Sequence, residues 1–168
     1  IQAELSTNRF RIYTNSDIVG VELGGAVKNI IGIAAGVCAG LELGHNPLAA
    51  LVTRGLAEMS RLCVALGGQG ETLSGLAGMG DLLLTCTSGL SRNRTVGFEL
   101  GRGRALEEIL SSMRMIAEGV PTTHVALSLA ERHGVEMPIT SQMGRLLRGE
   151  TTPSDAIEEL MSRPLKAE

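Results

Sequence analysis

Few side chains in these 168 residues could do chemistry, and they fall in short blocks. Lys28 sits in the stretch VELGGAVKNIIGIAAGVCAG that begins at position 21. Its neighbours are almost all apolar, so its ammonium group is expected well inside the protein, where it could donate a proton to a carbonyl becoming an alcohol. The plainer role is a lysine that reaches along a buried helix to the surface. Asn29 follows it, and Glu22 precedes Asn29 by about two turns. Asp81 comes after Gly78-Met79-Gly80 and before three leucines. Its plainer role is a helix N-cap, and its functional one a carboxylate that orients Lys28; the two are compatible. Ser91-Arg92-Asn93-Arg94 joins a capping serine to two guanidinium groups at a helix start. Positive charge there is unfavourable unless an anion neutralises it, which points to phosphate, against the plainer role of a solvated basic turn. Glu118, in a connector, could hold a ribose hydroxyl or face water. His45, His124 and His133 lack metal-ligand spacing among themselves or with the cysteines, so no metal site is expected.

The elements that must position these groups are helices. Gly20, Gly24, Gly32, Gly36 and Gly40 recur in steps of four, with Lys28 in the remaining slot, so they form one row on a helix spanning about residues 17–40. Glycine inside a helix costs roughly 0.5–1 kcal/mol relative to alanine, so five imply close approach of another backbone or a ligand. A long lysine among glycines implies room for something else on that face. Further helices are expected at about 47–66 (Asn46 as N-cap, Pro47 at N1), 81–86, 92–100 (capped by Ser91), 106–113, 121–133, 139–148 and 153–162. Phe10 to Thr14 alternates and is β-prone, giving one short strand. The fold class is therefore all-α, with at most that strand, in one domain over residues 1–168; residues 1–16 read as a remnant of an interdomain segment.

Composition excludes several functions. The net charge of −3 argues against nucleic acid and anionic membranes, and Phe10, Tyr13 and Phe98 are too few to stack bases. Cys38, Cys63 and Cys86 read as buried thiols in a reducing, cytoplasmic setting. The uncharged run at 29–41 falls short of the roughly 18 residues a membrane span needs.

GVELGGAVKN at 20–29, GLAGMGDLLLTCTS at 75–88, SRNR at 91–94, EGV at 118–120 and GVEMPI at 134–139 together resemble the C-terminal substrate domain of the bacterial NAD(P)-dependent glycerol-3-phosphate dehydrogenase family. The resemblance covers about residues 10–157. It implies a helical domain like that of 6-phosphogluconate dehydrogenase, following an N-terminal Rossmann domain. No GxGxxG occurs in these residues, so NAD(P) would be bound mainly by that other domain, and the 168 residues alone should be inactive. The resemblance makes Lys28 the proton donor or acceptor and Asp81 its partner. It gives Ser91, Arg92 and Asn93 to the substrate phosphate, and Arg92, Ile116 and Glu118 to the cofactor. Asn29 and Thr85 join Lys28 and Asp81 as further substrate contacts. The partner is then dihydroxyacetone phosphate or sn-glycerol 3-phosphate, in a pathway leading to phospholipid synthesis; a homodimer is left open. The contrasting reading is a helical interaction module without chemistry, whose Gly20–Gly40 ridge serves as a packing or dimer seam.

Overall fold

The computed structural model describes residues 1–164. Its elements are helices: α1 (Gln2–Leu5), α2 (Ile18–Gly40), α3 (His45–Ala65), α4 (Gly70–Ser74), α5 (Asp81–Thr87), α6 (Arg92–Gly101), α7 (Leu106–Ser112), α8 (Gly119–His133), α9 (Pro138–Leu147) and α10 (Pro153–Met161). A π-helical turn, Leu76–Gly80, leads into α5. The all-α class holds, and no strand occurs among the described residues. Phe10 to Thr14, expected as a strand, has no neighbouring strand to pair with. Its backbone is held by side chains of Ser6 and Gln2, and Phe10 and Tyr13 are exposed. Alternation supplies a local preference for extended backbone, but a strand exists only where another edge satisfies its hydrogen bonds.

Helix α2 runs through the middle, with α3, α5, α6, α8 and α9 packed round it. From Val27 to Cys38 every residue except Lys28 is buried. At 23 residues and a mean hydropathy of 1.5 over its most apolar window, α2 is long and apolar enough to cross a membrane. The uncharged-run criterion passes over it because Lys28 interrupts the run. Here that segment is the core of a bundle. Asp17 caps α2 by accepting the Gly20 N–H at 2.9 Å, and its second oxygen accepts the Gln69 N–H at 2.8 Å. These two backbone donors, with Thr72, hold the Asp17 carboxyl below its ordinary value.

The glycine row explains how α2 accepts so many neighbours. A Cβ at Gly36 would overlap the Arg94 carbonyl, and one at Gly40 the Phe98 carbonyl. On the opposing helix, a Cβ at Gly97 would overlap the Ile33 carbonyl. Helices α2 and α6 thus cross backbone to backbone, glycine against glycine. Gly24 faces Ala77 of the π turn, Gly32 faces Thr85 of α5, and Gly20 faces Thr72. The space that the row opens is therefore filled by the chain itself and not by a ligand, and the seam is used up inside one molecule, so it offers no surface to a second copy.

Two helix starts differ from expectation for one reason. Helix α3 begins two residues early, with Gly44 in the cap position and Pro47 inside the first turn; α8 begins at Gly119, with Pro121 likewise inside. The first N–H groups of a helix have no intrahelical partner, so proline is tolerated through that turn and does not mark its first residue. Gly134 ends α8 at φ 64°, a left-handed terminus of the kind glycine favours.

Candidate functional site

The glycine row decides where Lys28 can reach. With no side chain on α2 at Gly24 or Gly32, the π turn and α5 lie close against it, and Asp81, the first residue of α5, comes opposite Lys28. The Lys28 ammonium donates to Asp81 Oδ2 in an ion pair. The Lys28 side chain is 19 % exposed and that of Asp81 35 %, so the pair sits at the edge of the core with one side open. Asp81 makes no capping hydrogen bond; its carboxylate is given to Lys28. Its charge still suits the first turn of α5 electrostatically.

One residue on, Asn29 is buried. Its Oδ1 accepts from Asn93 Nδ2 at 2.9 Å, and its Nδ2 donates to the Gly25 carbonyl at 3.3 Å. Asn93, also buried, accepts the backbone N–H of Gly119 on its Oδ1 at 2.8 Å. Thr85 is buried with its methyl against Gly32, a glycine that Asn93 Cβ also faces. Lys28, Asn29, Asp81, Thr85 and Asn93 are thus brought to one stretch of α2, with the start of α8 tied on.

Ser91 caps α6, its Oγ accepting the Arg94 N–H at 3.2 Å. The first turn of α6 has no acidic residue, Arg92 forms no ion pair among the described residues, and Arg94 Nε is buried without a hydrogen-bond acceptor. The start of this helix therefore carries two cations, with no acidic residue in its first turn and no ion pair to either arginine among the described residues. Glu118 is exposed, immediately before Gly119. Ile116 is 74 % exposed, on the wall of a groove of about 260 Å³ shared with Met113, Arg114, Met115 and Pro121.

Elsewhere, the three cysteines are buried free thiols, as expected, and burial pushes the Cys86 thiol up to about 12. Sequence reasoning gave no role to two residues, Gly119 of the EGV motif and Glu58. Gly119 has a Cβ position hemmed in by the Asn29 carbonyl, Asn93 Oδ1 and Ile33 Cδ1, all within 2.9 Å. Glu58 is buried on α3 and caps α9 across the fold, accepting the N–H of Ile139 at 2.6 Å and of Thr140 at 3.2 Å, and the Thr140 hydroxyl at 3.1 Å. Burial pushes its carboxyl up, against those hydrogen bonds and Arg61. The signal was an acid on the face that α3 otherwise makes from Leu51, Gly55 and Leu62.

This helical domain, wrapped round one buried helix, recurs as part of a dehydrogenase class seen in solved structures. Glycerol-3-phosphate dehydrogenase from Coxiella burnetii superposes with a TM-score of 0.91 at 48 % identity, covering 96 % of this chain and 50 % of that one. The Plasmodium falciparum enzyme shares the fold, with a TM-score of 0.84 at 22 % identity. The family description "NAD-dependent glycerol-3-phosphate dehydrogenase C-terminus" matches residues 17–158, and the chain belongs to that family. Among curated relatives, glycerol-3-phosphate dehydrogenase [NAD(P)+] of Koribacter versatilis is 66 % identical over 169 residues, covering 100 % of this chain and 50 % of that protein. That of Geobacter sulfurreducens is 58 % identical over 168 residues. The chain spans about half the length of the curated relatives it matches.

Proposed function

We propose that residues 1–168 are the substrate half of an NAD(P)-dependent sn-glycerol-3-phosphate dehydrogenase, which interconverts dihydroxyacetone phosphate and sn-glycerol 3-phosphate in the cytoplasm and feeds phospholipid synthesis. The observation that carries this reading is the half-open Lys28–Asp81 pair. In the reducing direction the substrate gains a hydride at C2 and a proton on the C2 oxygen. Lys28 gives up that proton. Asp81 holds the amine at the carbonyl before and after transfer and takes a hydrogen bond from a substrate hydroxyl. As an ammonium, Lys28 also stabilises the negative charge that grows on the oxygen, in a setting that water screens poorly. The phosphate lies at the start of α6, where the Arg92 guanidinium has no ion-pair partner among the described residues and the Ser91 cap, Asn93 and the helix dipole add donors and field.

The residues available for a dinucleotide fit an edge and not a cradle. Exposed Glu118 can accept from ribose hydroxyls, Ile116 offers an apolar wall, and Arg92 is near enough in sequence to Asn93 to serve substrate and cofactor together. No glycine-rich pyrophosphate turn is among them. When bound, the nicotinamide supplies or receives the hydride; the chain's own contribution is the proton, the phosphate and the walls. Residues 1–16, which run extended along the surface after α1, then lead in from the dinucleotide domain. Whether the enzyme is a homodimer is a separate matter, to be read from its mass in solution.

The experiment is a substrate comparison in the full-length protein. It should oxidise sn-glycerol 3-phosphate with NAD or NADP and fail on glycerol. Arg92→Leu should raise KM for the phosphate ester by about 10- to 100-fold, the loss of one charge-assisted contact. Equal rates on glycerol and its phosphate would remove the phosphate site from α6.

A further inference from the structure

The Asn29–Asn93–Gly119 chain of hydrogen bonds joins three positions that each stand next to a working residue. Asn29 adjoins Lys28, Asn93 adjoins Arg92, and Gly119 adjoins Glu118. Helices α2, α6 and α8 are thereby fastened at one point by a single side chain. Asn93 is held at both ends of its amide: its oxygen receives the Gly119 N–H and its nitrogen donates to the Asn29 oxygen. A flipped amide would set N–H against N–H and oxygen against oxygen, so the orientation is fixed, and with it the direction of the second Nδ2 hydrogen. Asn29 is itself steadied by its bond to the Gly25 carbonyl. There is no slack at the α8 end, because Gly119 already lies against the Asn29 carbonyl and Asn93 Oδ1.

We propose that Asn29 and Gly119 are positioning residues which, with Asn93, couple the phosphate end of the site to its dinucleotide edge; this rests on the function proposed above. A phosphate that orders Asn93 also restrains the Gly119 backbone, and so the Glu118 edge where the dinucleotide lies. By linkage the dinucleotide must strengthen phosphate binding by the same factor. Neither Asn29 nor Gly119 has to touch a ligand. Gly119 has ordinary helical backbone, since its φ is not positive, so alanine there brings no backbone strain and is a better helix former. What it does bring is a methyl group against Asn29 and Asn93.

The test uses the full-length protein and the unreactive pair NADH and sn-glycerol 3-phosphate. The Kd for NADH is measured by calorimetry with and without saturating sn-glycerol 3-phosphate. In the wild type the second ligand should tighten the first by about fivefold or more, the usual scale for coupled sites. In Gly119→Ala and in Asn29→Leu the factor should fall to about one, and kcat/KM should drop by about 10- to 100-fold, as for an ångström-scale displacement. If Gly119→Ala fails to fold, Asn29→Leu, which keeps the number of side-chain heavy atoms and removes both hydrogen-bonding groups, carries the test. The double variant should lose about as much as either single one, because both break the same element. Absence of coupling in the wild type, or undiminished coupling in either folded variant, overturns the proposal. Failure of the site reading looks different: Lys28→Ala with normal turnover removes that reading, whereas an inactive Lys28→Ala beside a normally coupled Gly119→Ala removes only the relay.

Discussion

Replacing Gly36 and Gly25 by alanine, one at a time, should move stability in opposite directions although both lie in α2. A Cβ at Gly36 would overlap the Arg94 carbonyl oxygen and come within 2.7 Å of the Phe98 nitrogen and 2.9 Å of the Arg94 carbonyl carbon. All three are backbone atoms of α6, which cannot rotate aside, so the two helices must separate. Overpacking of this kind costs about 1–3 kcal/mol, and a backbone clash belongs at the upper end. The intrinsic gain of alanine over glycine in a helix, about 0.5–1 kcal/mol, offsets part of that. The net loss is about 2 kcal/mol, or roughly 4–8 °C in Tm for a domain of this size. A Cβ at Gly25 meets nothing within 4 Å. There the intrinsic gain stands alone, and Tm should rise by about 1–4 °C. Urea and thermal unfolding of the 168-residue chain, followed by circular dichroism, measure both. If Gly36→Ala is neutral, or if both variants lose stability equally, the α2–α6 seam is not what the glycines are for.

Two further outcomes concern pH and the chain taken alone. Burial raises the Glu58 carboxyl in the folded state above its ordinary 4.5, so its contribution to stability is present below that value and is lost as pH rises through the folded pKa. Asp17 has the opposite sign: its folded value lies below 3.8, and its contribution is lost as pH falls through it. Urea titrations across pH should show the Glu58→Gln curve flattened on the side above 4.5 and the Asp17→Asn curve flattened at the acid end; unchanged slopes would remove these assignments. Separately, the isolated chain should fold, show NMR shifts at the Arg92 and Asn93 amides with sn-glycerol 3-phosphate, and give no turnover with NADH or NADPH. Measurable turnover would place a complete cofactor site within these residues.

Much of the fold was legible because its punctuation is chemical. Asp17, Ser91 and Thr152 cap α2, α6 and α10 as their side chains suggest, and Gly134 and Gly149 end helices at positive φ. The residues that escaped are held by tertiary contact and not by local preference. In the π turn Gly78 lies against the backbone of Leu73 in α4, an approach that only glycine allows and that the glycines at 75, 78 and 80 signal as irregularity without naming its form. The extended segment at Phe10 failed as a strand for want of a partner. In the site, the Lys28–Asp81 pairing could be anticipated because two opposite charges in apolar stretches each need the other. The bond from Gly119 to Asn93 could not, since a backbone N–H looks the same at every position and only the fold aims this one. Glu58 carried a weak signal, an acid on an apolar face, that points to burial without naming the helix it caps.

The role of Lys28 is reached most directly by single-turnover reduction of dihydroxyacetone phosphate in the full-length protein, saturated with both substrate and NADH or NADPH, wild type against Lys28→Ala. Loss of a general acid lowers the rate of that step by about 10²–10⁴-fold. The dissociation constant of the phosphate substrate should change far less, because the site proposed for the phosphate is on α6 and not on α2. A Lys28→Ala protein that turns over at close to the wild-type rate, with substrate bound, would contradict the assignment of the proton to Lys28.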